Sequence, residues 1–330
     1  CCSGQIRGME TLFYELIRNG VPMDVDAFTV TGQTWKERLS NTEGLSADGV
    51  KNNPIIQSKP LRKFSGVDVL RGNFFESAVV KISGMTTYQL DQFDDKVSFV
   101  LYFENEEEAN KQLLNDQLLD ELRDQQAFSE EHLLQMWKHN HPDSYGEAEA
   151  LSYHQLFNRM VKDQSLKLTI IIAGQGPEAF GMPEMFNPMQ HINANRQLKR
   201  LATLISDGRY SGVTYGAAIG HMTPEAYNGG GVLYLKQGDL LHLRFRAKRI
   251  ELLDAESFAN GDIRPYLGDL QLDRGTLGEQ RKETMKMRQR TIAASNRLVG
   301  CTSAVEGVVP LAVKMDAVIP FSPRIAISKN

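Results

Sequence analysis

Chemistry-bearing side chains crowd one stretch, residues 204–239, LISDGRYSGVTYGAAIGHMTPEAYNGGGVLYLKQGD. Gly212, Gly216 and Gly220 relieve steric limits on a tight backbone path, and Ser211, Thr214 and Tyr215 set hydroxyls along it. Glycines at this density let a backbone approach a ligand and present N–H groups to an anion. Gly229 to Gly231 and the Gly238-Asp239 pair read as turns. Ser211 in its glycine setting reads as a functional hydroxyl. A free hydroxyl is a poor base, so this reading requires nearby charge or N–H groups to activate it.

Other patterns carry less. LKLTIIIAGQGPEAFG (166–181) offers a strand and then Gly174-x-Gly176, but Ala179 occupies the third glycine position and Pro177 stands where a helix should begin. A dinucleotide site is therefore not expected. The phosphate loop GxxxxGK[ST] is missing from the sequence. Arg209 at the first glycine position rules out a GxSxG elbow at Ser211. His139 and His141, in KHNHPD, have no Cys or carboxylate at zinc-ligand spacing and read as exposed polar turn residues.

The elements that must position the dense stretch are mostly β. Met9, Leu12, Phe13, Leu16 and Ile17 recur at helical spacing before Gly20, and FTVTGQTWKERL (28–39) reads as a short strand, a turn and a helix start. Residues 44–65 read as a connection, with a domain boundary near residue 45. Strands are expected at Val67–Leu70, Ala78–Ile82, Val97–Phe103, Leu168–Ala173, Ala202–Ile205, Val232–Leu235 and Leu240–Arg246. In the last, alternation predicts one buried face, with His242, Arg244 and Arg246 opposite it. Residues 104–165 are helical in composition and read as an insertion, with Glu104–Glu108 as an acidic, solvated helix start. The basic residues of 279–298 are expected on a solvated helix face. Many short strands with Gly-rich turns favour a closed or sandwich-like β domain over a doubly wound sheet.

Composition narrows the class. In 330 residues, 41% are apolar and 24% charged, so a sizeable core is available. Lys plus Arg count 37 against 41 Asp plus Glu, a net charge of −4, which argues against nucleic acid as a partner. No apolar run is long enough for a membrane span. Three cysteines (Cys1, Cys2 and Cys301) make no disulfide framework and suit a reducing, cytoplasmic setting. The chain begins at Cys1 without Met and is expected to continue a longer protein.

The dense stretch resembles the C-terminal half of the dihydroxy-acid dehydratase / 6-phosphogluconate dehydratase family. That family carries a pattern close to TDGRFSGGTRG, then GHVSPEA, then GG and a GD turn. Ser206 to Gly216 and Gly220 to Ala226 match it in order and spacing. EAFGMPEM (178–185) resembles the family's GGPGMPEM, and LRGNFFESAVVK (70–81) its LxGNxAPxGAVVK. FTVTGQ (28–33) resembles LTVTGK, and NRLVGCTSAVEGVV (296–309) is similar to LVxSAxxGAV.

The resemblance implies an α+β chain. Its main part would be a C-terminal β-barrel-like (swivelling) domain, residues 46–330, with flanking helices and the insertion at 104–165. Residues 1–45 would be the tail of an α/β N-terminal, cluster-binding domain. It also implies a hydro-lyase that dehydrates a 2,3-dihydroxy carboxylic acid to a 2-keto-3-deoxy acid. Ser211 falls on the serine that removes the C2 proton and Glu184 on a Mg2+ ligand. Thr214 and Gly212 are expected to bind substrate. The implied cofactors are an iron–sulfur cluster, with ligands in an N-terminal half outside this sequence, and Mg2+. A small-molecule substrate and a homodimer or homotetramer are the implied partners.

This sequence departs from the family pattern at Phe74-Phe75 in place of Ala-Pro, at Tyr215 in place of Arg, and in AGQGPEAFG. The helical insertion and tail favour the sugar-acid, xylonate-type branch. The alternatives are a branched-chain dihydroxy-acid dehydratase and a non-catalytic, sugar-acid-binding module of the same fold. The chain alone is expected to be inactive.

Overall fold

The computed structural model describes residues 8–42, 66–81, 85–142, 151–210, 217–293, 302–305 and 309–313. Ser211, Gly212, Thr214, Tyr215, the three cysteines and the boundary expected near residue 45 lie outside the described residues. The chain forms two compact units, residues 1–64 and 65–330.

In the first unit, helix Gly8–Arg18 packs Phe13 edge-on against Trp35, with ring centroids 4.3 Å apart. Trp35 opens helix Trp35–Leu39, whose start is fixed by a capping box. The Thr34 hydroxyl accepts from the Glu37 N–H, and the Glu37 carboxylate accepts from the Thr34 N–H. Arg38 pairs with Glu10 and ties the two helices together. A single bridge, Phe28 to Thr34, stands where the short strand was expected.

The second unit is built on eight strands: β1 (Asp68–Leu70), β2 (Ser77–Val80), β3 (Lys96–Phe103), β4 (Leu168–Ile172), β5 (Ala202–Ser206), β6 (Ala218–Thr223), β7 (Leu240–Arg244) and β8 (Arg249–Leu252). Their order is β1-β2-β6-β5-β4-β3-β7-β8. Pairing is parallel through β3, β4, β5 and β6 and antiparallel elsewhere in that row. A parallel bridge from Arg71 to Arg249 joins the two outer strands. There Arg71 N donates to Lys248 O at 3.0 Å, and Ile250 N donates to Arg71 O at 3.0 Å. The sheet is thereby a nearly closed barrel with little exposed edge. The expected mainly β, barrel-like domain within an α+β chain is what the structure contains.

Strand alternation makes two cores. Val100, Ile171, Ile205, Ile219, Leu241 and Leu243 point into the barrel. Phe99, Leu101, Ile170, Ile172 and Leu204 point outward beneath helices. Inside, the hydroxyls of Ser98, Thr169 and Thr203 on three adjacent strands satisfy one another, at 2.6 and 3.2 Å. Phe74 and Phe75 are buried in the interior core, with their rings 4.8 Å apart. These departures from the family pattern are thus packing residues.

Residues 104–165 supply helices Glu106–Leu113, Leu118–Asp124, Glu130–Asn140 and Tyr153–Lys162. They form the crossover that parallel pairing of β3 with β4 demands. The acidic run does start a helix, capped by Asn105.

Several expectations need correction. Val232–Leu235 is no strand; Gly231–Tyr234 is a 3-10 turn whose Val232, Leu233 and Tyr234 are all buried. β6 and β8 were not anticipated, because β6 carries Gly220 and His221 and β8 is only four residues long. On β7, His242 is buried too, because the barrel covers one face and helices cover the other. Helix Gly275–Ala293 is not simply solvated. Its Arg281 is buried, donates to the carbonyls of Leu233 and Leu235 at 2.6 Å each, and lies 3.6 Å from the Tyr102 ring centroid. Among the described residues no helix is long and apolar enough to cross a membrane.

Phe99 of β3 stacks on Phe128 of the crossover, with centroids 4.0 Å apart and planes at 4°. Phe99→Ala should lower unfolding free energy by about 3–5 kcal/mol in a urea titration. A loss below about 1 kcal/mol would show that this stack does not hold the crossover to the barrel.

Candidate functional site

The carboxyl ends of the four parallel strands lie at one end of the barrel, where ligands of open parallel sheets also collect. Two buried carboxylates organise the loops there. Asp207, just after β5, is fully buried. Its Oδ1 accepts from Gln175 N at 2.8 Å, and its Oδ2 accepts from Gly174 N at 3.1 Å and Ala226 N at 3.0 Å. Glu225 accepts from Glu178 N at 2.9 Å and Ala179 N at 3.2 Å. These are the first N–H groups of the short helix Pro177–Phe180.

Gly176 is required by this arrangement, because any Cβ there would collide with the Glu225 carboxylate. Pro177 does begin a helix, contrary to expectation, since proline is well tolerated at the first helical position. The N–H groups that would cradle a pyrophosphate are taken by internal carboxylates. This loop therefore offers none of those N–H groups to a phosphate.

Burial pushes both carboxyls up. Asp207 is raised despite its three N–H donors, and Glu225 is raised to about 7 by burial and then by the neighbouring Asp207 charge.

Glu184 belongs to a segment laid alongside residues 209–210. A parallel bridge pairs Glu184 with Arg209. Met185 N donates to Arg209 O at 2.8 Å, Arg209 N to Pro183 O at 3.4 Å, and Arg209 Nε to Met182 O at 3.0 Å. The Arg209 guanidinium is 3.7 Å from the Glu184 carboxylate, and both side chains remain partly open to solvent. Glu184 offers hard oxygen ligands that an exposed ion pair only weakly engages. It fits a role as one ligand of a divalent ion, with further ligands from elsewhere. Among the described residues it does not belong to a cluster of three potential ligands.

Behind this ladder, His221 N donates to Gly208 O at 2.8 Å, with φ of +56° at His221. Burial, and then the Arg209 charge, lower the His221 pKa, so its imidazole is held neutral. A Cβ on Gly220 would press on the Tyr210 ring at 2.7 Å. Sequence reasoning had singled out Ser211, Gly212, Thr214 and Glu184. Of these the structure describes Glu184 alone, and it adds Arg209, His221, Asp207 and Glu225. The signal for these four lay in S-D-G-R and G-H-M-T-P-E-A, where attention went to the glycines and hydroxyls. His139 is also corrected. It is half-buried, not an exposed turn residue, and its Nε2 lies 3.0 Å from the Asp95 carbonyl.

Comparisons with known proteins give a family likeness. Residues 134–294 match the family model described as dihydroxy-acid/6-phosphogluconate dehydratase C-terminal. Over these residues, just under half of its length, the chain is similar to this family. It is similar to the dihydroxy-acid dehydratase of Caldanaerobacter subterraneus subsp. tengcongensis, 25% identical over 249 residues, which cover 74% of this chain and 34% of the relative. It is also similar to dihydroxy-acid dehydratase 2 of Acinetobacter baylyi, 28% identical over 250 residues, covering 75% and 35%. Identity to the dihydroxy-acid dehydratase of Carboxydothermus hydrogenoformans reaches 40% over 92 residues, covering 28% and 16%. The chain spans about a third of the length of the first two relatives.

The raised Glu225 carboxyl makes stability depend on pH. The folded protein holds this proton more tightly than the unfolded chain, whose glutamate titrates near the ordinary 4.5. Its contribution is therefore full below about 4.5 and is lost as pH rises through about 7. His139, His221 and His242, all lowered by burial, act in the opposite sense. The difference between wild type and Glu225→Gln isolates the carboxyl. That difference in unfolding free energy should fall by on the order of 2–3 kcal/mol between about pH 5 and 8. A pH-independent difference would remove the buried proton from the account.

Proposed function

We propose that this chain is the C-terminal part of a cytoplasmic hydro-lyase that dehydrates a 2,3-dihydroxy carboxylic acid to a 2-keto-3-deoxy acid. The observation that carries the reading is the Glu184–Arg209 bridge. It aligns the GMPEM segment with the strand end that leads directly into Ser211. On this reading Ser211 takes the proton from C2, the hydroxyl leaves C3, and the resulting enol tautomerises to the 2-keto product. Thr214 and Gly212 contact the substrate. Arg209 provides a cation, and His221 a neutral imidazole, at the edge of the same loop. Asp207 and Glu225 hold the surrounding backbone in place.

Glu184 would contribute one carboxylate to a Mg2+ site. When bound, Mg2+ and an iron–sulfur cluster would supply the Lewis acidity that eases loss of the C2 proton and the C3 hydroxyl. The thiolates for a cluster belong, on this reading, to the part of the relatives that this chain does not span.

The relatives, which are named dihydroxy-acid dehydratases, support a dihydroxy acid as the substrate class. The sugar acid favoured by the sequence and the branched-chain dihydroxy acid both fit that class. Full-length protein assayed on an aldonate and on a branched 2,3-dihydroxy acid separates them.

Two variants of the full-length protein test the roles. Ser211→Ala should lower kcat by about a hundredfold or more while leaving the cluster absorbance unchanged. Near-normal turnover would take Ser211 out of the mechanism. Glu184→Gln should raise the Mg2+ concentration needed for half-maximal activity by about tenfold or more. An unchanged metal titration would remove Glu184 from the ligand set.

A further inference from the structure

At the amino end of β3, the far end of that strand from Glu104, three potential metal ligands meet from distant parts of the chain. Asp95 stands in the turn before β3 with φ of +55°. His139 ends helix Glu130–Asn140, and His242 lies on β7, paired in register with Val97. His242 Nε2 is 2.8 Å from Asp95 Oδ1, and the two imidazole centroids are 5.5 Å apart at 87°. One donor atom from each of the three residues lies within 4.8 Å of the others. His242 is buried and His139 half-buried, while the Asp95 carboxylate is open to solvent.

We propose that Asp95, His139 and His242 bind a divalent transition-metal ion of the zinc type. Two imidazoles and one carboxylate are the donor set of borderline ions, whereas Mg2+ and Ca2+ favour oxygen ligands alone. A tetrahedral ion with bonds of about 2.0–2.1 Å needs donors about 3.3 Å apart. His242 Nε2 and Asp95 Oδ1, at 2.8 Å, are a little closer than that, and all three donors lie within 4.8 Å of one another. Closing onto an ion requires His242 and Asp95 to part slightly. The exposed carboxylate leaves the fourth position to water. Lys96, Arg244 and Glu251 are the other charged groups facing the pair of histidines. Glu251 is neutralised by Arg244 and Arg249, so it does not compete for the ion.

The site is separate from the Glu184 end of the barrel and from the chemistry proposed there. Its consequence is mechanical. One ion would clip residues 95, 139 and 242, closing long loops and fastening the crossover helix to β7.

The test uses the purified chain, stripped with a chelator and titrated with Zn2+ by calorimetry and with Co2+ by visible absorption. Asp95→Asn keeps a residue that tolerates positive φ, and His139→Gln changes a partly exposed side chain. One equivalent of Zn2+ should bind with Kd below about 100 µM and raise the thermal midpoint. Each variant should weaken that equivalent by about tenfold or more while retaining the wild-type midpoint without metal. Equal Zn2+ stoichiometry and affinity in wild type and both variants would overturn the proposal. So would an absence of saturable binding below about 1 mM. Zinc held by the cysteines would persist in both variants and would not mimic the expected loss.

Discussion

The candidate site depends on two carboxylates removed from water. Asp207 and Glu225 together accept five backbone N–H groups from residues 174–179 and 226. A buried N–H left without a partner costs about 1–3 kcal/mol, so these loops have little freedom to rearrange while both acids are in place. Acids serve better here than amides would. A carboxylate offers acceptor lone pairs on both oxygens, whereas an amide turns a donor toward one of the N–H groups. The cost is desolvation, which appears as the raised carboxyls of both residues.

This arrangement explains how a closed barrel can carry a site at one end. The parallel strands β3, β4, β5 and β6 send their carboxyl ends the same way, and the loops after β4, β5 and β6 meet at Asp207 and Glu225. Helix Gly275–Ala293 is fastened over that end. Arg281 binds the carbonyls of Leu233 and Leu235, and Gln289 donates to Glu178 O at 2.7 Å. The helical crossover covers the outer face of the sheet, so strands that look unremarkable in sequence are buried on both sides.

Much of this was legible beforehand. Long apolar strands such as Val97–Phe103 and Leu168–Ala173 announced themselves by composition, and the helices of 104–165 by their helical composition and acidic start. β6 was hidden because Gly220 and His221 interrupt its pattern. The reason is local: Gly220 makes room for Tyr210, and His221 turns the backbone through a positive φ. The 3-10 turn at Gly231–Tyr234 passed for a strand because its apolar residues are buried on every side, which erases periodicity. The Asp95–His139–His242 cluster could not be seen because its members are 44 and 103 residues apart and meet only through sheet pairing and helix packing. Spacing rules detect ligands on one element and miss those assembled by the fold.

The environments of the acids then separate structural roles from chemical ones. Asp207 and Glu225 are buried with both carboxylate oxygens turned to backbone N–H groups, so neither is open to a substrate or an ion. Glu184 has a single cation 3.7 Å away and an open approach from solvent. An acid that must bind and release a ligand needs free lone pairs and a modest desolvation cost, and Glu184 meets both conditions. Arg209 contributes twice. Its backbone fixes the Glu184 segment, and its guanidinium keeps a positive charge beside the chain that leads into Ser211. On the proposed reading, a serine that acts as a base is helped by a cation that stabilises its alkoxide, and Arg209, two residues before Ser211, is the cation the sequence offers.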